Sequence, residues 1–474
     1  MKIGRDTMAL CSDIKSNAII LEQLLKSDES FDIINRPLVI NRRKAKLYFV
    51  DGLIKDSVME KVLEFLYSIE DESFMKNADT FLRCCMPYVE ASTEEDEKKA
   101  ATAVFSGVSA LLIDGFSKAI LIDGRSYPQR DTAEPEKDKV LRGSHDGFVE
   151  TLISNTALVR RRIRSPQLRV TPFVIGRSSN TDVALLYMDG RADAKLVKKL
   201  EKSLGEMNCD SLTMNQQSLV ELLFGRKWYN PFPKIKYTER PDSAASAILE
   251  GNIVILVDNS PSALVLPTSI FDVMEEADDY YFSPIVGTYL RLARYIVTFS
   301  TLIITPLWLL ALKYPDMLPA AVQFVLPKDP VNLPIFWQLI ILEIAIDGLR
   351  LASLNTPSSL STALSIIGAI ALSDFAVSSG WFCSEAILYM AFVAVANYSQ
   401  PSYELSYALK FMRIILLVAT QLFGIFGFVG GFVIVIAITL MNKTISGKSY
   451  LYPLIPFNGK ALLHKVLRFK KSGN

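Results

Sequence analysis

The chain has 474 residues, half of them hydrophobic, and a formal net charge of +1. Its length allows about three domain-sized units, and its near-neutral charge excludes the basic surface that is typical of nucleic-acid-binding proteins. It contains two histidines and five cysteines, none of them in a metal-ligand spacing, so we expect no metal ion, no cofactor and no catalytic site.

Charge and hydrophobicity are unevenly distributed along the chain. Most charged residues precede Arg294, whereas the long apolar runs follow it, which indicates a soluble region followed by a membrane region. The first ten residues carry charges and no apolar core, so we predict no signal peptide. We therefore expect the soluble region, with reduced cysteines, to lie in the cytoplasm.

The soluble region begins with a strand, a turn and a helix. The stretch KLYFVDGLIKDSVMEKVLEFL contains an apolar strand, an Asp51-Gly52 turn and a helix with apolar residues on one face. These apolar residues are Val58, Val62, Leu63 and Leu66. Further on, SALLIDGFSKAILIDGR predicts a hairpin, because Asp114-Gly115 suits the positive φ angles of a tight turn.

The same arrangement recurs later in the chain. VALLYMDGRADAKLVKKLEKSL repeats the strand, the turn at Asp189-Gly190 and the helix, and NIVILVDNSPSALVLP repeats the hairpin around Asp258-Asn259. No phosphate-binding glycine motif follows either strand, so a nucleotide site is not expected.

This repetition predicts an α/β fold class for the soluble region, with two similar α/β domains in tandem. The predicted domains are residues 1–140 and 141–284. Within them, residues 40–127 and 175–267 are expected to share one fold, with the two Asp-Gly turns in equivalent places.

Four arginines end the first predicted helix of the second domain. The segment DGFVETLISNTALVRRRIRSP predicts a helix with one apolar stripe, formed by Phe148, Leu152, Ile153, Leu158 and Ile163. The arginines are Arg160, Arg161, Arg162 and Arg164. Cations are favoured at a helix C-terminus, so a solvated helix end explains the cluster. Alternatively, the cluster contacts acidic groups of a neighbouring subunit.

The following residues, 285–445, predict an all-α transmembrane bundle. Three runs are long and apolar enough to cross about 30 Å of hydrocarbon: Tyr289–Leu312, Ile335–Ala352 and Leu360–Val377. The run Met317–Pro327 is too short to cross and is expected in the membrane interface.

The two last apolar segments, Phe382–Asn397 and Leu409–Met441, allow two topologies. The tail, residues 446–474, is basic, which indicates that it is cytoplasmic like the soluble region. The number of crossings is then even. In the preferred topology of four crossings, the first segment is re-entrant and the last crosses once. In the alternative, the first crosses and the last forms a hairpin.

Charged residues occur at membrane depth. Glu343, Asp347 and Arg350 follow one face of the second span, and Asp374 lies in the third. Because exposing a charge to lipid costs at least about 2.5–3.5 kcal/mol, this face must point into protein or water. Either an Asp347–Arg350 pair holds helices together, or the acids flank a hydrated cation path.

Small side chains form a stripe on the third span. They are Thr362, Ser365, Ala369 and Ser373. Such a stripe suits close helix packing and a pore wall equally well. In an oligomer, each subunit can offer one helix to a shared axis, so these residues are the pore-lining candidates.

Several stretches of the chain carry a resemblance to a known family. They are LRGSHDGFVETLISNTALVRRRIRSP, NPFPKIKYTERPD, ILEGNIVILVDNSPSALVLPT and YLYPLIPFN. Together they resemble the A subunits of bacterial spore germinant receptors, the GerA family, over most of the chain. TPSSLSTA and QPSYELSYALK look most like members outside the nutrient-receptor operons. One departure is His145-Asp146, where the family usually has a basic or acidic pair.

The resemblance implies a subunit of the spore inner membrane. Members of the family look like homo-oligomeric ion channels, pentamers, that release monovalent cations into the surroundings when germination is triggered. They act beside other germinant receptor subunits or, in the branch outside the nutrient-receptor operons, with a small membrane partner subunit.

The residues are compatible with functions of three classes. A secondary transporter would show inverted repeats in the membrane half, but the repeat found here lies in the soluble half. A non-conducting scaffold or signalling subunit would need the membrane helices only as an anchor. We expect a channel, with the scaffold as the alternative.

Overall fold

The computed structural model describes most of the chain. The described residues are 9–25, 27, 33–51, 53–86, 88, 90–126, 132, 134–135, 138–225, 230–328, 332–355 and 374–468. The chain divides into two compact units, Met1–Arg130 and Asp131–Asn474. The finer domain limits at residues 140, 284 and 445 stay predictions.

The first unit contains a five-stranded antiparallel sheet with helices on both faces. The strands are β1 (Ile33–Ile40), β2 (Arg43–Val50), β3 (Ala91–Glu94), β4 (Ser109–Ile113) and β5 (Ala119–Ile122). The helices are α1 (Ile14–Leu25), α2 (Asp56–Tyr67), α3 (Ala78–Cys85) and α4 (Glu97–Phe105), with a 3-10 turn at Glu72–Phe74. Across the sheet, the strand order is β1-β2-β4-β5-β3.

Strand β4 illustrates how the sheet is covered. Leu111 and Ile113 pack into the apolar cluster that contains helices α2 and α3, whereas Ala110 and Leu112 pack into the cluster that contains α1 and α4. Successive side chains of a strand point to opposite faces. An unbroken apolar run therefore fits a strand with helices on both sides.

The second unit begins with a sheet of the same size. Its strands are β6 (Leu168–Ile175), β7 (Thr181–Met188), β8 (Lys236–Thr238), β9 (Ile253–Val257) and β10 (Ala263–Leu266). Its helices are α5 (Leu152–Arg162), α6 (Ala194–Gly205), α7 (Gln216–Phe224) and α8 (Pro241–Leu249). The strand order, β6-β7-β9-β10-β8, matches that of the first sheet.

The two predicted Asp-Gly turns lie at the ends of corresponding strands. Asp51 follows β2, and Asp189 follows β7. Each predicted hairpin is present, as β4-β5 and β9-β10. That the two segments superpose, as a duplication would require, stays a prediction.

Strands β1 and β6 were missed by the sequence analysis. Each contains a proline, Pro37 or Pro172, and proline argues against a central strand. In the structure both strands lie at a sheet edge, paired on one side only. An edge strand pairs on one side only, so proline is tolerated there.

The membrane half of the second unit is helical. Its helices are α9 (Ile270–Val273), α10 (Asp278–Tyr281), α11 (Pro284–Lys313), α12 (Ile335–Asn355), α13 (Asp374–Ser378), α14 (Ser384–Tyr398), α15 (Tyr403–Met441) and α16 (Gly459–Val466), with 3-10 turns at Pro315–Met317 and Ala320–Val325. Among the described residues, α11 and α15 have the length and hydropathy of membrane-spanning helices. Large apolar side chains such as Ile296 and Phe426 are exposed, as expected for surfaces that face lipid.

Helix α15 is a hairpin of two helices. Gly424 has φ 59° and ψ −131°, which interrupts the helical geometry and requires glycine. A Cβ atom on Gly431 would lie 2.9 Å from Leu416 Cδ1. A straight helix would separate those two residues by about 22 Å, so the chain must reverse. The preferred expectation that Leu409–Met441 crosses the membrane once is therefore wrong, and the hairpin is observed instead.

The sequence analysis preferred a single crossing to the hairpin because the first helix begins earlier than predicted. Ser402 caps this helix by accepting a hydrogen bond from the backbone N–H of Leu405, at 3.3 Å. The helix therefore starts at Tyr403 rather than at Leu409. The first half, 403–423, is long enough to cross a bilayer, and the second half, 425–441, is near the lower limit of about 17 residues.

The hairpin makes a prediction about two neighbouring glycines. A Cβ atom on Gly427 would lie 1.9 Å from the carbonyl oxygen of Ala419, whereas one on Gly430 would meet nothing within 4 Å. We expect Gly427→Ala to lower the free energy of unfolding by about 1–3 kcal/mol, because the clash is with backbone. The matched control Gly430→Ala should raise it by about 0.5–1 kcal/mol, because alanine is the better helix former and meets no clash. Unfolding titrations in detergent measure both, and equal stability of the two variants would contradict the tight hairpin.

Candidate functional site

The predicted site residues differ in how far the structure describes them. The pore-lining candidates Thr362, Ser365, Ala369 and Ser373 lie outside the described residues. Asp374, from the predicted charge network, is the first residue of helix α13. The other members of that network, Glu343, Asp347 and Arg350, are on helix α12.

Glu343 is buried among helices α11, α12 and α15. It is 2% exposed, and its Oε1 accepts a hydrogen bond from Nε of Arg413 at 2.6 Å. Arg413 is fully buried and also donates from Nη1 to the carbonyl oxygen of Thr301 at 3.0 Å. One ion pair therefore ties together three helices.

Lys410 adds a second cation to this cluster. Its Nζ lies 3.6 Å from Oε2 of Glu343 and donates to the carbonyl oxygen of the same residue at 3.1 Å. It also forms a short ion pair with Asp347. Lys410 and Arg413 lie three residues apart on α15, and Glu343 and Asp347 lie four apart on α12, so each pair shares one helix face.

This arrangement corrects the predicted role of the acids. Two carboxylates face two cations, so Glu343 and Asp347 do not offer uncompensated negative charge to an ion path. Asp347 contacts Lys410, a partner that the sequence analysis did not name. The sequence analysis did not name Lys410 or Arg413 as partners, although about one helical turn separates them, as it separates the two acids.

Arg350 lies among aromatic rings. Its guanidinium carbon is 4.2 Å from the ring centre of Tyr403, 5.0 Å from that of Tyr407 and 5.8 Å from that of Tyr398. A guanidinium within about 6 Å of an aromatic face is attracted by the ring quadrupole. This contact joins the end of α12 to α14 and to the start of α15.

Two arginines at the start of α11 are buried against acids of the preceding segment. Arg291 contacts Asp279 at 3.3 Å and Glu275 at 2.9 Å. Arg294 contacts Asp279 at 3.0 Å and Glu276 at 2.5 Å. Asp279 is fully buried, so it depends on both cations for compensation.

The tail of the chain returns to the same place. Lys465 contacts Asp272 at 2.5 Å and Glu275 at 3.5 Å, and its carbonyl oxygen accepts a hydrogen bond from the Tyr295 hydroxyl at 3.1 Å. Burial alone would raise the pKa of Glu275, but Lys465, with Lys236 and Arg291, lowers it to about 2. Glu275 is therefore ionised and compensated at neutral pH.

The four-arginine cluster is partly engaged within the chain. Arg160 donates to the carbonyl oxygens of Ser165 and Leu168, both at 3.1 Å. Arg162 forms an ion pair with Asp146 at 2.5 Å, which gives the His145-Asp146 corner a structural role. The remaining two arginines, Arg161 and Arg164, are exposed.

The predicted apolar stripe on this helix is partly wrong. Ile153 is 58% exposed, and the buried residues of α5 are Asn155 and Val159. Asn155 is buried because its side chain hydrogen-bonds both backbone groups of Val149, at 2.8 and 2.5 Å. Pattern analysis misses such a residue because it treats every polar residue as exposed.

The buried ion cluster predicts non-additive substitutions. Glu343→Gln leaves two buried cations facing one carboxylate, and Arg413→Met leaves the opposite imbalance, so each should cost about 3–5 kcal/mol of unfolding free energy. The double variant keeps the Lys410–Asp347 pair and should recover most of that loss. Unfolding titrations of all four proteins measure the coupling. Losses that simply add in the double variant would show that the two residues are independent.

Comparison with known proteins agrees with the resemblance seen in the sequence. The family described as Bacillus/Clostridium GerA spore germination protein matches residues 20–473. Stage V sporulation protein AF of Bacillus subtilis (strain 168) is 37% identical, over 94% of this chain and 90% of its own length. Spore germination protein KA of the same strain is 26% identical, over 95% and 83% respectively.

One solved structure is also similar. It is the N-terminal domain of the A subunit of the Bacillus megaterium spore germinant receptor GerK3, with 25% identity and a TM-score of 0.21, covering 56% of this chain and 98% of that one. The family match and the relatives together establish the identity at the level of the family. The chain belongs to the GerA family of spore germination proteins.

Proposed function

We propose that this protein is a membrane subunit of a spore germination complex and that it conducts monovalent cations as a homo-oligomer, a pentamer, in the spore inner membrane. The observation that carries the proposal is the neutralised ion cluster around Glu343. Because Glu343 and Asp347 of α12 are neutralised by Lys410 and Arg413 of α15, these two helices suit a supporting role beside a separate pore helix.

The pore helix in this proposal lies between α12 and α14. This segment carries Thr362, Ser365, Ala369 and Ser373, whose small and polar side chains suit the wall of a narrow aqueous path. Five copies around one axis would line the path with these residues. The ion cluster would then hold the pore helix in place instead of selecting ions.

The return of the tail supports an even number of membrane crossings. Lys465 contacts Asp272, and Ile445 packs into the apolar core of the second sheet. The tail and the second α/β region therefore lie on one side of the bundle. With the α15 hairpin, we propose six crossings and place both the soluble region and the tail in the cytoplasm.

The partners follow from the relatives. Spore germination proteins KA and B1 of Bacillus subtilis are similar to this chain over most of its length. We propose that this protein assembles with other germinant receptor subunits or with a small membrane partner subunit.

Cysteine substitution tests the pore. In a variant whose own cysteines are replaced by serine, we expect Ser365→Cys and Ala369→Cys to react with a water-soluble thiol reagent. The reaction should stop potassium flux from vesicles, because a bulky adduct fills the path. The matched control is Val395→Cys, at a residue 70% exposed on the apolar face of α14. It should stay unreactive, because thiolates do not form in hydrocarbon.

Two results would contradict the pore assignment. Reaction at residue 395 combined with none at 365 and 369 would move the path to another helix. Vesicles that hold assembled protein but pass no cations would favour the second candidate, a non-conducting scaffold or signalling subunit. The ion pairs of Arg291, Arg294 and Lys465 favour that candidate, because they would transmit movement between the second α/β region and the helical bundle.

The exposed arginines test the oligomer. We expect Arg161→Glu combined with Arg164→Glu to reduce the mass of the purified protein in light scattering, because reversed charges repel the acidic groups of a neighbouring subunit. Lys195→Glu combined with Lys198→Glu reverses two exposed charges on α6 and serves as the control. An unchanged mass in the first variant would indicate that the arginines form a solvated helix end and no subunit contact.

A further inference from the structure

A cavity of about 550 Å³ lies where the second α/β region meets the start of α11. Residues of several elements form its walls. Helix α8 contributes Ser246, α10 contributes Tyr280, and β8 contributes Lys236, while the tail contributes Lys465 and Arg468. None of its lining residues belongs to the pore-lining candidates or to the ion cluster around Glu343.

Arg468 is held in this wall with an unused donor. Its Nη2 donates to the carbonyl oxygen of Tyr280 at 2.5 Å, and its backbone N–H donates to the Thr288 hydroxyl at 3.1 Å. Its Nη1 is buried and has no hydrogen-bond partner in the part of the chain that the structure describes. A buried charged donor without an acceptor costs several times what an ordinary hydrogen bond contributes, so an acceptor is expected there.

Lys236 is a second cation with unused hydrogen-bond donors. Its Nζ donates to the carbonyl oxygen of Glu275 at 2.9 Å, which uses one of three N–H groups. Like Arg468, it is therefore oriented by a neutral carbonyl of the short segment 275–280. Both cations face the same cavity.

Five carboxylates also line the cavity, and cations pair with four of them. The pairs are Asp242 with Arg240 at 2.6 Å, Asp272 with Lys465 at 2.5 Å, Glu275 with Arg291 at 2.9 Å and Glu276 with Arg294 at 2.5 Å. Each of these four acids thus has a cation within hydrogen-bond distance, and the fifth, Glu250, lies at the C-terminal end of α8. The donors of Arg468 and Lys236 are left to act on a ligand.

We propose that this cavity binds a phosphate group, carried either by an anionic phospholipid headgroup or by a small soluble compound. Phosphate offers several acceptor oxygens, and guanidinium and ammonium groups are its usual partners in proteins. The cavity lies at the first residues of a spanning helix, where Pro284 forms part of the wall. Basic pockets in this position are typical sites for phosphate headgroups.

The ligand would join segments that ion pairs already bring together. A phosphate held by Arg468 of the tail and Lys236 of the α/β region would fix both to α10, immediately before α11. None of the residues that line this site belongs to the proposed pore, so the binding test does not depend on conduction.

Thermal unfolding of the full chain in a neutral detergent tests the site. One arm adds inorganic phosphate, a second adds phosphatidylglycerol, and a third adds phosphatidylcholine. Ligand that binds only the folded protein raises Tm in proportion to the logarithm of its concentration over Kd. A rise with inorganic phosphate identifies a soluble phosphate compound, and a rise with phosphatidylglycerol alone identifies the lipid headgroup. Either result supports the proposal.

Variants locate the binding. We expect Arg468→Gln and Lys236→Gln each to raise Kd about tenfold or more, which corresponds to the loss of one charge-assisted hydrogen bond. Ser246→Trp fills the cavity without changing charge and should abolish binding. Lys460→Gln removes an exposed charge from the same tail helix and should leave Kd unchanged.

Three results would overturn the proposal. They are no rise in Tm in any arm, an equal rise with phosphatidylcholine, and a loss of binding in Lys460→Gln as large as in Arg468→Gln. Because Arg468→Gln could loosen the tail, Lys236→Gln and Ser246→Trp carry the same test without altering the tail. Unchanged binding in both would likewise overturn it.

Discussion

The helical part of the second unit depends on the contact between Glu343 and Arg413. Either charge buried alone would cost several kcal/mol, so the two side chains must meet, and their helices must be neighbours. Arg413 also donates to the Thr301 carbonyl, which adds α11 to the pair. Once α11, α12 and the first half of α15 are fixed together, the glycines of the second half allow it to return along the first at close range. The ion pair thus determines which helices are neighbours, and the glycines allow the two halves of α15 to pack closely.

A second group of charges joins this bundle to the α/β region. Arg291 and Arg294 would be unfavourable at the start of a spanning helix without Glu275, Glu276 and Asp279 beside them. Because the acids lie on the short helices that follow the second sheet, the orientation of α11 relative to that sheet is set by several ion pairs. Lys465 adds the tail to the same network. A rearrangement of the second α/β region would therefore displace the start of α11 directly.

Much of this was accessible from the sequence, and the failures have identifiable causes. Apolar periodicity located helices α2 and α6, and the Asp114-Gly115 and Asp258-Asn259 pairs located the hairpins, because each depends on local residues. Prolines concealed the edge strands β1 and β6. The spacing of Glu343 and Asp347 indicated a buried face, but no local pattern states which helix covers it, so Lys410 and Arg413 were not recognised as partners. Likewise, the torsion angles of Gly424 result from the reversal of the chain, which a run of apolar residues does not reveal.

The position of the tail has a consequence for biogenesis. Residues Lys465 and Arg468 complete the junction at the base of α11, yet they follow helices α11 to α15 in the sequence and so leave the ribosome after them. Domains fold as they emerge during synthesis, so both α/β regions and most spanning helices are in place before this junction can close. Nascent subunits would remain incomplete at the base of α11 until residues 465–468 have been synthesised. The order of synthesis would thereby separate the insertion of the helices in time from the closure of this junction.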